Sequence, residues 1–159
     1  MNNETMPDSA VKVMILIGSE SDRAVMNKSA ETLTQLGIPA RLEVASAHRN
    51  PGRVRALVAE GERSGVKVFI CGAGMAAHLA GTVAAHTIRP VIGVPLAGSE
   101  LQGFDSLLST VQMPRGVPVA TVAVGGHGAV NAAILAAQVL ALQDAPIEER
   151  LRRMREGTL

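Results

Sequence analysis

The sequence predicts a three-layer α/β/α sandwich with a central parallel sheet, flavodoxin-like or Rossmann-like. Short β-branched runs alternate with longer, Ala-rich intervals of helix length. These runs are apolar throughout rather than alternating, the pattern of strands covered by helices on both faces. The chain has 159 residues, 47% of them hydrophobic and 18% charged, which suits one compact unit.

Five runs read as strands: Lys12 to Ile17, Ala40 to Ala45, Val66 to Cys71, Pro90 to Val94 and Pro118 to Val124. Ser21-Asp22 opens a helix that runs to Leu36, and Asn50-Pro51 supplies an N-cap followed by proline at the first helical position. Gly37 and Gly65 end these two helices. The segment Ala129 to Leu142 is apolar almost all round and predicts a helix buried on several sides, partly by another subunit. The stretch from Ile147 to Arg155, rich in Glu and Arg, reads as a solvated or subunit-crossing helix. Residues 1–10 are expected to be a flexible segment ahead of one domain spanning 11–159.

Composition excludes several classes of function. Fifteen basic against fourteen acidic residues leave a formal charge of +1, so no single-sign field draws the chain to nucleic acid or to an anionic membrane. The longest apolar stretch is interrupted by Asn131 and Gln138 and is too short to span a bilayer. One cysteine precludes an internal disulfide, and the first residues lack the basic start and apolar core of a signal peptide, which points to the cytoplasm. The four histidines show no metal-ligand spacing, so no metal site is expected. With no Trp, no Tyr and two Phe, the core must come from Ala, Val, Ile and Leu, and burial against sister subunits would add to it.

In parallel α/β sheets ligands bind beyond the carboxyl ends of the strands, and three of the turns there are unusual. The first, Gly18-Ser19-Glu20-Ser21-Asp22, offers hydroxyls, N–H groups at a helix start and a carboxylate, a set that can hold a phosphate and a sugar hydroxyl; helix capping accounts for the same residues. In the second, Ser46-Ala47-His48-Arg49, the following Asn50-Pro51 already starts the helix, leaving Ser46, His48 and Arg49 without an evident capping role. Arg49 could clamp a phosphate and His48 could exchange a proton near neutral pH; a solvated His-Arg pair is the plainer alternative. The third, Gly72 to Leu79, superficially meets the dinucleotide fingerprint, but it follows the third strand and lacks the acidic partner. Its glycines, Gly74 among them, let backbone approach a ligand, with Met75, Ala76, Ala77 and Leu79 as an apolar wall, and His78 is either a ligand contact or a structural histidine. Cys71 reads as a buried structural thiol rather than a nucleophile.

Together, Gly18-Ser-Glu-Ser-Asp22, Ser46-Ala-His-Arg49, Gly72-Ala-Gly-Met-Ala-Ala-His-Leu79, Pro90-Val-Ile-Gly-Val-Pro95, Asp105-Ser-Leu-Leu-Ser109 and Val111-Gln-Met-Pro114 closely resemble the PurE family of N5-carboxyaminoimidazole ribonucleotide mutases of purine biosynthesis. The likeness runs from Val13 to about Leu142, with the motifs in order. It implies a homo-octamer working without metal, nucleotide cofactor or ATP on a small ribonucleotide. It also implies that Ser19, Asp22 and Arg49 bind the ribonucleotide with help from Ser21 and Ser46, and that His48 transfers the proton. Three positions depart from the family pattern: Met75 where glycine is usual, Ala80 where proline is usual and Arg23 where tryptophan is common. The alternatives are a carboxylase of aminoimidazole ribonucleotide using free CO2 on the same scaffold, and a non-enzymatic flavodoxin-like nucleotide-binding module.

Overall fold

The computed structural model describes residues 10–159, so the expected flexible segment lies outside the described residues except for Ala10. β1 (Val13–Ile17), β2 (Ala40–Val44), β3 (Val68–Gly74), β4 (Val91–Leu96) and β5 (Ala120–Thr121) form one sheet in the order β2-β1-β3-β4-β5. Every neighbouring pair is parallel. This is the flavodoxin-like order, with its reversal of direction between β1 and β3.

A 3-10 turn at Glu20–Asp22 leads into α1 (Arg23–Gln35). The other helices are α2 (Pro51–Ser64), α3 (Leu79–Ala84), α4 (Phe104–Val111), α5 (Gly126–Ala141) and α6 (Ala145–Glu156). Alternate residues of β1 divide the core into two. Val13, Ile15 and Ile17 pack with α1 and α5, whereas Met14 and Leu16 pack with α2 and α3. On that second side Gly93 lets α4 and α3 come close: a Cβ there would sit 2.5 Å from Thr110 Cγ2 and 3.3 Å from Ala80 Cβ.

The capping signals act as read. Asn50 Oδ1 accepts the Arg53 N–H at 3.0 Å and starts α2. Gly37 and Gly65 both adopt the left-handed conformation, at φ +66° and +99°. Each is followed by a six-to-one hydrogen bond, from Ile38 N–H to Leu33 C=O and from Val66 N–H to Gly61 C=O, which satisfies carbonyls that the helix end would orphan.

Four expectations need correction. β3 runs on through Gly72-Ala73-Gly74, because the backbone there pairs with Val94, Pro95 and Leu96 of β4 while Met26 fills the space above Gly72. β5 is two residues rather than seven: Pro118 and Pro95 have no N–H to donate beyond the Ala120 and Thr121 pairings. α5 begins at Gly126 rather than Ala129; its Ala129, Ala132, Ala133, Ala136 and Ala137 are fully buried in the cluster that includes α1 and the sheet, with α6 packed alongside. α6 starts at Ala145 rather than Ile147 and docks on that same cluster through Ile147, Leu151 and Met154, a narrow apolar stripe among its charges.

Candidate active site

The turns after β1, β2 and β3 meet at one edge of the sheet around a cavity of about 400 Å³. Ser19, Ser21, Asp22, Ser46, His48, Arg49, Gly74, Met75, Ala76, His78 and Leu79, all named from the sequence, line it. Ala77 does not: it is buried, and its N–H donates to Ser109 Oγ on α4 at 2.9 Å.

On the β1 side the capping and binding readings describe the same atoms. Ser19 N–H donates to Asp22 Oδ2 at 3.1 Å, Ser21 N–H donates to Ser19 Oγ at 3.4 Å, and Ser21 Oγ donates to Ser19 Oγ at 3.0 Å. This reciprocal box presents both hydroxyls to the cavity. Half-burial raises the Asp22 carboxyl above its ordinary range, against the opposing pull of the Ser19 N–H. Arg23 forms a two-pronged ion pair with Glu20 at the surface, which holds the first turn of α1 from outside the cavity.

On the β2 side, Ser46 does have a local capping role. Its Oγ accepts the Arg49 N–H at 3.2 Å and its carbonyl accepts the Asn50 N–H at 3.0 Å. This turn carries His48 and Arg49 into the cavity wall. The neighbouring cations Arg41 and Arg53 are held by Glu43 and Glu60. No acidic side chain among the described residues pairs with Arg49, which leaves its guanidinium without a carboxylate partner.

Across the cavity stands His78, just before α3. His48 Nε2 and His78 Nδ1 are hydrogen-bonded at 2.7 Å, with ring centroids 4.8 Å apart and the planes at 86°. One ring nitrogen of this contact donates and the other accepts. His48 therefore has a proton partner thirty residues away in sequence, one that spacing did not indicate.

Gly18, Ala47, Ala73 and Gly98 complete the lining. Of these, Gly98 comes from the connection after β4, at the same sheet edge, but it carries no side chain to draw notice. Cys71 is buried in the sheet, and burial pushes its thiol up, away from the reactive thiolate. Among the described residues no group of three or more His, Cys, Asp or Glu side chains could hold a metal ion. Nor is any helix there long and apolar enough to cross a membrane.

A model of the family described as AIR carboxylase matches residues 12–158. The chain belongs to that family. The N5-carboxyaminoimidazole ribonucleotide mutase of Escherichia coli strain K12 is 48% identical over 150 residues, covering 94% of this chain and 89% of the relative. Its counterpart from Brucella melitensis is 51% identical over 148 residues, covering 93% and 91%. Among solved structures, PurE of Treponema denticola superposes with a TM-score of 0.83 at 30% identity, covering 91% of this chain and 89% of the other. This family relationship agrees with the flavodoxin-like sheet order described above.

Proposed function

We propose that the chain is an N5-carboxyaminoimidazole ribonucleotide mutase, an isomerase that moves the carboxylate of its substrate from N5 to C4 in purine biosynthesis. The observation that carries this reading is a proton-transfer group and an uncommitted cation meeting in one cavity, His48 facing His78 while Arg49 and the Ser19 and Ser46 turns stand beside them. The names of relatives about half identical over most of the chain support the same activity.

In this reading Arg49, with Ser19, Ser21 and Ser46, binds the ribonucleotide phosphate, and Asp22 accepts from a sugar hydroxyl. Anchoring the phosphate uses binding energy remote from the reaction to orient the imidazole ring of the substrate against His48. His48 donates a proton to the departing nitrogen and later accepts the proton of C4, so one group serves both halves. His78, hydrogen-bonded to His48 Nε2, orients that ring toward the substrate. Gly74, Met75, Ala76 and Leu79 form the less polar wall, which favours loss of a charged carbamate that water would otherwise stabilise.

The protein works in the cytoplasm as a homo-octamer with residues 11–159 as one catalytic domain. An unpaired apolar stripe on α4 supports assembly: Phe104, Leu108 and Val111 follow one another at helical spacing and are 62%, 46% and 45% exposed. Pure protein mixed with N5-carboxyaminoimidazole ribonucleotide, without ATP or bicarbonate, should form the C4-carboxylated isomer. Product only from aminoimidazole ribonucleotide plus bicarbonate would instead establish the carboxylase reaction and overturn the mutase.

A further inference from the structure

We propose that Met75 is a strained cover that retains the carboxyl carbon between its release from N5 and its capture at C4, an inference that rests on the mutase reading above. Met75 sits at φ +55°, in the left-handed region that crowds any residue with a Cβ. Glycine would adopt that conformation freely. The loop is held on both sides of it. A Cβ on Gly74 would lie 3.2 Å from the Leu96 carbonyl, so that backbone is already packed against the end of β4. Ala77 N–H is held by Ser109 Oγ at 2.9 Å, and His78 N–H donates to the Ala76 carbonyl at 2.9 Å.

The strain is not offset by burial. Met75 is 61% exposed, yet it lines the cavity beside His48, His78 and Leu79. Gln102, at φ +52°, is the other side-chain-bearing residue with a positive φ among the described residues, and it does not line the cavity. A strained backbone that persists at a ligand cavity points to use in function. The unbranched, polarizable thioether has the reach and flexibility to lie across a bound ring and withdraw again.

The reaction gives such a cover a purpose. When the bond between N5 and the carboxyl carbon breaks, its electron pair returns to N5, a proton from His48 completes the amine, and CO2 is freed. C4 then bonds to that CO2 and yields its proton to His48; no oxidant, reductant or further reactant enters. Between the two steps the carbon is in a neutral molecule that Arg49 cannot hold by charge, so its retention depends on closing the space around it.

The test is turnover of substrate labelled with 13C in the N5 carboxylate, in excess unlabelled bicarbonate and with carbonic anhydrase present to exchange any escaped CO2. The label in the C4 product is read by mass spectrometry and corrected for uncatalysed loss. Wild-type product should keep the label. Met75→Gly and Met75→Ala should each lose at least several-fold more label per turnover, and Met75→Leu, which keeps apolar bulk, should retain it. The alanine variant leaves the strain and removes the cover, so the two effects separate. Retention by both small variants, leakage by Met75→Leu equal to that of Met75→Gly, or full exchange already in the wild type overturns the cover while leaving the mutase intact. A wild-type protein that forms no C4 product at all overturns the mutase reading itself.

Discussion

His48 and Arg49 are adjacent in sequence but play different parts in the proposed reaction, and single substitutions should separate them. His48→Asn keeps a polar group of similar size at an exposed turn, so the fold should survive with its thermal midpoint nearly unchanged. Loss of the proton carrier should lower kcat by about 10²-fold or more, in the range typical of a removed acid–base group. Steady-state turnover close to wild type would remove His48 from the mechanism. Arg49→Ala removes the uncommitted cation and should chiefly raise KM, by about tenfold or more for a lost charge-assisted contact; an unchanged KM would place the phosphate elsewhere. Residue chemistry was highly legible here, because Ser, Asp, His and Arg at strand ends announce themselves. Gly98 did not, since it contributes only backbone, and Ala77 was assigned to the wall although its N–H turns inward to Ser109.

At the scale of elements, boundaries follow caps and misjudged boundaries follow pairing. Asp144 Oδ1 accepts the Ile147 N–H at 3.3 Å to start α6, and its Oδ2 accepts from Lys12 at 2.9 Å, tying the start of the last helix to the residue just ahead of β1. The Lys12 ammonium holds the Asp144 carboxyl below the usual carboxylate range, aided by the Ile147 N–H. A lowered folded value means that the stabilisation is present above the ordinary carboxylate range and is lost as pH falls through the lowered one. Asp144→Ala should therefore melt roughly 2–4 °C below wild type at pH 7, the size expected for a lost cap in a chain of this length. That gap should narrow as acid titrates the wild-type carboxylate; a gap independent of pH would assign the effect to packing. α5 has a stricter seat. A Cβ on Gly128 would lie 1.7 Å from the Ala123 carbonyl oxygen, an immovable backbone atom, so Gly128→Ala should destabilise by about 3 kcal/mol or more, at or beyond the upper end of ordinary overpacking. Urea unfolding measures it, and a loss under about 1 kcal/mol would show that the α5 entry can shift.

For the whole molecule, the sheet order sets where function can lie. The reversal between β1 and β3 leaves a crevice at their carboxyl ends, and the Ser19, His48 and Gly74 turns all open into it. The α4 stripe belongs to the same scale, because a helix exposing Phe104, Leu108 and Val111 on one side is better covered by another copy than by water. Light scattering coupled to size-exclusion chromatography should report eight times the 16.5 kDa chain mass. Leu108→Asp should shift that mass to smaller species, and an assembly unmoved by the charge would locate the interface elsewhere.

Strand periodicity, helix caps and the choice of cavity residues depend on neighbours a few positions apart, and so the order of residues alone determined them: apolar runs, Asn50-Pro51, Gly65, Ser19 and His48 carry their meanings locally. Tertiary structure decided what depends on distant partners. The contact between His48 and His78 joins segments thirty residues apart, β3 extends through two glycines only because β4 offers them hydrogen bonds, and α5 packs against both α1 and α6. Met75 belongs there too: its left-handed backbone lies between the close packing at Gly74 and the Ala77 bond to Ser109, contacts that no local preference of a methionine would anticipate.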